Sequence, residues 1–194
     1  TAPCTRTIWA HSDMEKWMAE KHNPSRPLLQ NAYASYDHVV PVGEDVKESA
    51  EHIGGHPEKV LVISNFMDYR RIQELGKLPV SFDSETECTV SLNRLQEILK
   101  SSDRKFINVG RFSPEKGHER LIRAFDRFWT DHPDTWLIII GSHGEYYKHT
   151  CDLADSVRSS SHIILIKYMS NPFPVVKACD FFLLSSYYEG LGLV

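Results

Sequence analysis

Phe106-Ile-Asn-Val-Gly-Arg-Phe-Ser-Pro-Glu-Lys-Gly117 decides the fold class of this chain of 194 residues. A short apolar run ends at a glycine. Two cations, Arg111 and Lys116, follow on either side of Pro114, and a second glycine leads into a helical pattern. This order marks a buried strand handing over to a helix through a polar turn. A second stretch answers it near the C-terminus: Ser185-Ser-Tyr-Tyr-Glu-Gly-Leu-Gly-Leu-Val194, a strand end opening into a glycine-rich turn with one carboxylate.

Outward from this point the alternation repeats. Residues 115–130 carry Leu121, Ile122, Phe125, Phe128 and Trp129 along one helical stripe. Residues 136–140 are a continuous apolar strand ending at Gly141, 145–158 are helical, 162–166 a strand, 172–179 a short helix and 180–184 a strand. Upstream, 7–10 reads as a strand. Met14, Trp17 and Met18 follow at helical spacing, and Pro24 and Pro27 break that helix. A weaker helix over 28–36, a strand over 38–42, a helix over 44–53 stopped by Gly54-Gly55, and a buried strand over 59–63 complete the first part. Strands apolar on both faces and separated by helices predict an α/β fold, with parallel sheets covered on both sides and right-handed crossovers.

The pattern loosens between 66 and 103. Gly76, Pro79 and the acidic run Asp83-Ser-Glu-Thr-Glu87 read as a linker or surface excursion, closed by a short helix with Leu92, Leu95, Ile98 and Leu99 on one side. The expected division is therefore 1–66, the C-terminal part of one Rossmann-like domain; 67–103, a linker or excursion; and 104–194, a second Rossmann-like domain.

Composition narrows the classes. Apolar residues make up 41% and charged residues 25%, ordinary for a globular protein. A formal charge of -4 argues against a nucleic-acid binder driven by phosphate contacts. Cys4, Cys88, Cys151 and Cys179 are scattered without zinc or redox spacing, which predicts reduced thiols and a cytoplasmic setting. No apolar stretch approaches the roughly 20 residues of a membrane span. Thr1 and its neighbours show no signal-peptide pattern and read as an internal starting point.

Ligands of open parallel sheets bind at the carboxyl ends of strands. There the sequence sets Gly110-Arg111, Gly141-Ser-His-Gly144, Tyr168-Met-Ser-Asn171 and residues 185–194. Arg111 and Lys116 can converge across their turn on a diphosphate leaving group, whose charge grows as its bond breaks. The alternative is a solvated surface pair, although the start of a helix disfavours cations. Gly190 and Gly192 would let backbone N–H groups approach a ligand oxygen, and Glu189 could accept from sugar hydroxyls; the alternative is a plain turn with a surface carboxylate. His11 either orients an acceptor hydroxyl or is a strand-end histidine bonded to backbone. His118 falls in the helix stripe and reads as packing. The other histidines show no metal spacing.

Taken together, Val109-Gly-Arg-Phe-Ser-Pro-Glu-Lys-Gly117 with the following His-Glu-Arg-Leu-Ile-Arg-Ala-Phe125, and residues 171–194, resemble the donor domain of family 4 glycosyltransferases of the GT-B fold. Tyr36-Asp-His-Val-Val-Pro-Val42 and Lys59-Val-Leu-Val-Ile-Ser-Asn65 resemble the last strands of the acceptor domain. Trp9-Ala-His-Ser-Asp13 is similar to a segment of enzymes that build bacterial cell-surface polymers, including teichoic-acid and capsule enzymes.

The resemblance implies a retaining transferase that needs no cofactor and no metal. Its co-substrate would be a nucleotide-diphosphate sugar, a UDP-sugar first, and its acceptor a saccharide, polyol phosphate or lipid-linked hydroxyl. It implies that Arg111 and Lys116 bind the diphosphate, Glu189 touches the sugar and His11 faces the reaction centre. Gly110, Gly141, Gly190, Leu191, Gly192 and Leu193 would lie along the donor, with Tyr168, Met169 and Ser170 beside the base. The second glutamate of the family's Glu-x7-Glu motif would fall eight residues after Glu189, beyond Val194. The chain therefore reads as an interior portion of a larger enzyme, active in the cytoplasm or at the inner face of the plasma membrane through regions outside these residues. A binding module that holds a nucleotide sugar without transfer, a GT-B epimerase and a plain nucleotide-binding domain remain alternatives.

Overall fold

The structure, a computed structural model, describes residues 4–21, 26–142, 144 and 146–189. The chain divides into two compact units. One comprises the residues up to Met67 together with Tyr188 and Glu189; the other is Asp68–Tyr187.

In the first unit β1 (Thr7–Ala10) is followed by α1 (Met14–Lys21), α2 (Arg26–Ala34), β2 (His38–Pro41) and α3 (Glu44–Gly54). β1 and β2 pair in parallel with Thr7 opposite His38. Met18, Tyr33, Val39, Ala50 and Ile53 form the core beneath them. Gly55 ends α3 in the left-handed region (φ 65°) and donates its N–H to the Glu51 carbonyl, the ordinary glycine stop of a helix. The run at 59–63 differs from the expected buried strand. It lies extended beside β2, with Leu61 N–H to Val39 O at 3.0 Å and Ile63 N–H to Pro41 O at 3.1 Å. Leu61 and Ile63 are 55% and 42% exposed. The run is paired along its backbone, and Val60 packs on the core while Leu61 and Ile63 stay exposed.

The second unit comprises α4 (Tyr69–Leu75), α5 (Leu92–Lys100), β3 (Arg104–Val109), α6 (His118–Trp129), β4 (Thr135–Ile140), α7 (Tyr147–Ser156), β5 (Ile163–Ile166), α8 (Phe173–Lys177) and β6 (Phe181–Phe182). Its sheet is wholly parallel in the order β5-β4-β3-β6. Every residue of β4 is buried, and strand alternation sends its side chains to two layers. Trp136, Ile138 and Ile140 join Leu95 and Ile98 of α5 and Val175 of α8. Leu137 and Ile139 join Leu121, Ile122 and Phe125 of α6 and Ala154 of α7. An unbroken apolar strand between two helical layers is what the sequence pattern required.

The stretch 67–103, expected as a linker or excursion, groups with the second unit from Asp68 onward. Cys88 bridges Ile166 in antiparallel sense, and the Thr89 N–H reaches the Leu165 carbonyl at 3.0 Å. The stretch thus covers the otherwise open edge of β5. The last strand is shorter than 180–184 and its Phe181 and Phe182 are exposed. Its hydrogen bonds to β3 nonetheless run from Asp180 N–H to Leu183 N–H. Finally, α6 starts at His118 rather than at 115, because Gly117 sits at φ 65° and separates a one-turn 3-10 segment, Pro114–Lys116, from the helix.

Candidate functional site

The carboxyl ends of β3, β4 and β5 open onto a cavity of about 310 Å³ within the second unit. Gly110, Arg111, Lys116, Gly141, Tyr168 and Met169, all singled out in the sequence, line it, joined by Ser142 and Pro172. The β ladder carries the first two loops to the rim: Gly110 N–H bonds to Ile140 O at 2.9 Å, and Gly141 N–H to Ile166 O at 2.8 Å. At Gly141 a Cβ would strike the Phe112 ring and stand 2.8 Å from the Gly110 carbonyl. Close packing on the Phe112 ring and the Gly110 carbonyl, not a positive φ, therefore calls for glycine there.

The Arg111–Lys116 turn is held from below. Phe112 is fully buried and packs on the rings of His118 and Tyr147 at 5.2 and 4.9 Å. Anchoring this one side chain leaves its neighbour Arg111 exposed at the rim, where Nη2 lies 3.4 Å from Glu115 Oε1. The same carboxylate oxygen accepts from the Ser113 hydroxyl at 2.6 Å. Burial works against the charge of Glu115. The Ser113 hydroxyl, its own N–H and the nearby Arg111 and Lys116 outweigh that effect and hold the carboxyl below the ordinary range. Glu115 thus ties Arg111 to the turn, and an exposed pair of this kind is weak enough to yield to a stronger anion.

Beneath Lys116 lies a buried polar pair that the sequence reading did not single out. Asn108 Nδ2 donates to Leu183 O at 2.7 Å, so its Oδ1 must accept, and His118 Nε2 stands 3.0 Å from it. The chain of bonds makes Nε2 the protonated nitrogen of a neutral ring. Burial and then the charge of Lys116 push the His118 pKa down to about 4. His118 was read as packing and it does pack, but it also closes this network. The signal was available: Asn108 is a polar residue inside the apolar run Phe106-Ile-Asn-Val109.

The turn is also fastened to the chain entering the second motif. Ser185 Oγ donates to Lys116 O at 2.7 Å, and Tyr187 N–H to Glu115 O at 2.8 Å. Arg120 donates from Nε to Ser185 O and from Nη2 to Ser186 O, both at 2.8 Å, and lies over the Tyr187 ring at 4.3 Å. A Cβ on Gly117 would collide with the Ser185 carbonyl.

The remaining expected residues fall elsewhere. Ser170 does not line the cavity. Its N–H and hydroxyl both donate to Asp83, each at 2.8 Å, so neither is directed at a ligand. His11 is exposed just after β1 in the first unit, its ring stacked with Trp9 at 6.2 Å. Glu189 is half-buried and groups with the first unit. Gly190, Leu191, Gly192 and Leu193 lie outside the described residues. Among the described residues no three His, Cys, Asp or Glu side chains are grouped to hold a metal ion. No helix among them is long and apolar enough to cross a membrane.

Known proteins resemble the chain in sequence and fold. A family model described as glycosyl transferases group 1 matches residues 92–194, more than half of the chain. An uncharacterized glycosyltransferase of Methanocaldococcus jannaschii is 28% identical over 153 residues, which are 79% of this chain and 34% of the relative. The N-acetylgalactosamine-N,N'-diacetylbacillosaminyl-diphospho-undecaprenol 4-alpha-N-acetylgalactosaminyltransferase of Campylobacter jejuni is 23% identical over 168 residues, 86% of this chain and 40% of the relative. The chain thus spans between a third and two fifths of these curated relatives. The solved structure of Anabaena Alr3699/HepE in complex with UDP and glucose matches 93% of this chain and 46% of its own, with a TM-score of 0.68 at 18% identity. That likeness concerns the fold, an α/β architecture of GT-B type. The strand-end pocket lies inside the matched region, and the chain belongs to the group 1 glycosyl transferases.

Proposed function

We propose that the protein transfers a sugar from a nucleotide-diphosphate sugar, a UDP-sugar first, to a hydroxyl acceptor with retention of anomeric configuration, as family 4 enzymes do. The observation that carries this reading is the convergence of Arg111 and Lys116 with Gly110, Gly141, Tyr168 and Met169 around one cavity at the carboxyl ends of β3, β4 and β5. The two cations offer a diphosphate a forked donor and a compact charge. Backbone at Gly110 and Gly141 admits close approach, and the mostly apolar wall of Met169, Tyr168 and Pro172 suits a planar base.

In the proposed reaction the bond from the anomeric carbon to the diphosphate oxygen breaks, and the diphosphate leaves with that electron pair. Arg111, released from Glu115, and Lys116 meet the developing charge. The acceptor hydroxyl oxygen bonds to the anomeric carbon on the same face, and the departing phosphate oxygen takes its proton. His11 and Glu189 are proposed to act on the acceptor and the donor sugar. The Campylobacter relative is named for a diphospho-undecaprenol acceptor; with the resemblance at 9–13, this favours a lipid-linked or surface-polymer acceptor presented at the inner membrane face.

The test is donor binding and turnover. UDP at 100 times its dissociation constant should add about 2.7 kcal/mol to stability, visible as a thermal shift. Arg111→Ala and Lys116→Ala should each abolish most transfer of labelled sugar. Normal turnover in both variants would remove the leaving-group role.

A further inference from the structure

The wall opposite Arg111 is not self-supporting. Residues 167–172 follow β5, the edge strand of the sheet, and present Tyr168, Met169 and Pro172 to the cavity. Hydrogen bonds reach this loop from residues 75–87, far away in sequence, while Met169 packs in the core with Ile140 and Val175. Lys167 N–H donates to Glu87 O at 2.8 Å, and its Nζ to Glu87 Oε1 at 2.6 Å. Asn171 Nδ2 donates to Leu75 O at 3.0 Å. Between them, at the centre of the loop, Asp83 accepts the N–H of Ser170 on Oδ2 and its hydroxyl on Oδ1.

Asp83 is itself fixed. Its N–H donates to Thr86 Oγ1 at 2.8 Å and its carbonyl accepts the Thr86 N–H at 3.1 Å, so the carboxylate projects from a closed turn. The Ser170 N–H, then the Ser170 hydroxyl, hold its carboxyl below the ordinary range, so it is ionised near neutrality. Each carboxylate oxygen thus accepts from Ser170, a residue that does not line the cavity and stands midway between residues that do. Sites that discriminate ligands need such supported walls, because a loop that gives way accommodates the wrong ligand.

We infer that Asp83 is a positioning residue for nucleotide selection: by clamping Ser170 it sets the 168–172 wall of the pocket, and with it the preference for one nucleoside diphosphate over others. The inference rests on the donor-site reading above. It concerns the nucleoside end of the ligand, not the diphosphate, whose cations lie on the other wall.

The experiment measures affinities of UDP, CDP, ADP, GDP and inorganic diphosphate by calorimetry for the wild type, Asp83→Ala, Asp83→Asn and Ser170→Ala. Asp83→Ala should weaken the preferred nucleotide by roughly tenfold, the value of about one charge-assisted hydrogen bond, and compress its preference over the other bases. Inorganic diphosphate should bind as before. Asp83→Asn should recover most of both, since an amide oxygen can accept the Ser170 N–H while the amide NH2 donates to the hydroxyl. Ser170→Ala, which keeps the N–H bond, should fall between them. An unchanged preference ratio in Asp83→Ala overturns the inference and leaves the donor site standing. Equal losses for diphosphate and nucleotides also overturn it, because they mark a general structural role. A wild type that binds none of the nucleotides overturns the donor reading, and this inference with it.

Discussion

The two walls of the pocket are built in opposite ways. The Arg111–Lys116 wall first closes on itself, with Gly117 at φ 65° ending it and Glu115 folding back to Arg111 within five residues, and is then fastened by Ser185 and Tyr187. The 168–172 wall is borrowed, tied by Asp83, Glu87 and Leu75 from the far side of three strands in sequence. A locally closed turn keeps its geometry at small entropic cost and can hold fixed charges. A borrowed wall can be altered by changing a residue that never meets the ligand. On the donor reading proposed above, the first would hold the diphosphate and the second the base.

The strongest way to break this comparison is to remove the charges of the local wall. Arg111→Ala and Lys116→Ala should each lower the turnover number by roughly 10²–10³-fold, while circular dichroism and unfolding midpoint stay near wild type. A large fall in stability instead would make the turn structural rather than chemical.

A second measurement addresses what lies beneath it. His118 is neutral in the folded protein, with its pKa lowered to about 4. The unfolded chain takes up the proton at a higher pH. Stability is therefore complete above the unfolded value and falls as the pH drops toward about 4, by up to about 3 kcal/mol. Denaturant unfolding of the wild type and His118→Gln between neutral pH and pH 4 should show a smaller acid loss in the variant. Parallel losses would place the acid sensitivity elsewhere.

Gly117→Ala comes next. An L side chain at φ 65° and a collision with the Ser185 carbonyl should cost roughly 1–3 kcal/mol, read from the unfolding midpoint. Donor affinity should fall as well, because Lys116 is displaced with the turn. Arg123→Ala should do least. Arg123 pairs with Glu119 at 3.0 Å on the solvated face of α6, and such pairs contribute about 0.5 kcal/mol or less. It is a control: a cation in the same motif region, with stability and turnover expected near wild type.

Much of the second unit was legible. Residues 136–140 are apolar throughout, and only a strand between two helical layers buries all of them. Gly110 and Gly141 end their strands, and strand ends of parallel sheets meet at one rim, so six of the expected site residues do line one cavity. The errors share a cause. Leu95 and Ile98 fill a layer as their spacing predicts, but the stretch around Cys88 covers an edge, and edge cover needs backbone pairing, which leaves little trace in side-chain pattern. Ser170 stands beside true lining residues in sequence, yet its partner Asp83 is 87 positions away. The run 59–63 is as apolar as a core strand, but among the described residues nothing covers Leu61 and Ile63.

Sequence alone determined the alternation of elements, the parallel sheet of the second unit, and the strand-end turn with its two cations. These follow from periodicity, glycine placement and the chemistry of neighbouring residues, which are local properties. Tertiary structure alone decided that Asp83 claims Ser170, that Asn108 fixes the tautomer of His118, and that Arg120 grips the carbonyls of Ser185 and Ser186. Each is a hydrogen bond between groups brought together only by packing, and hydrogen-bonding capacity written in a sequence does not name its partner.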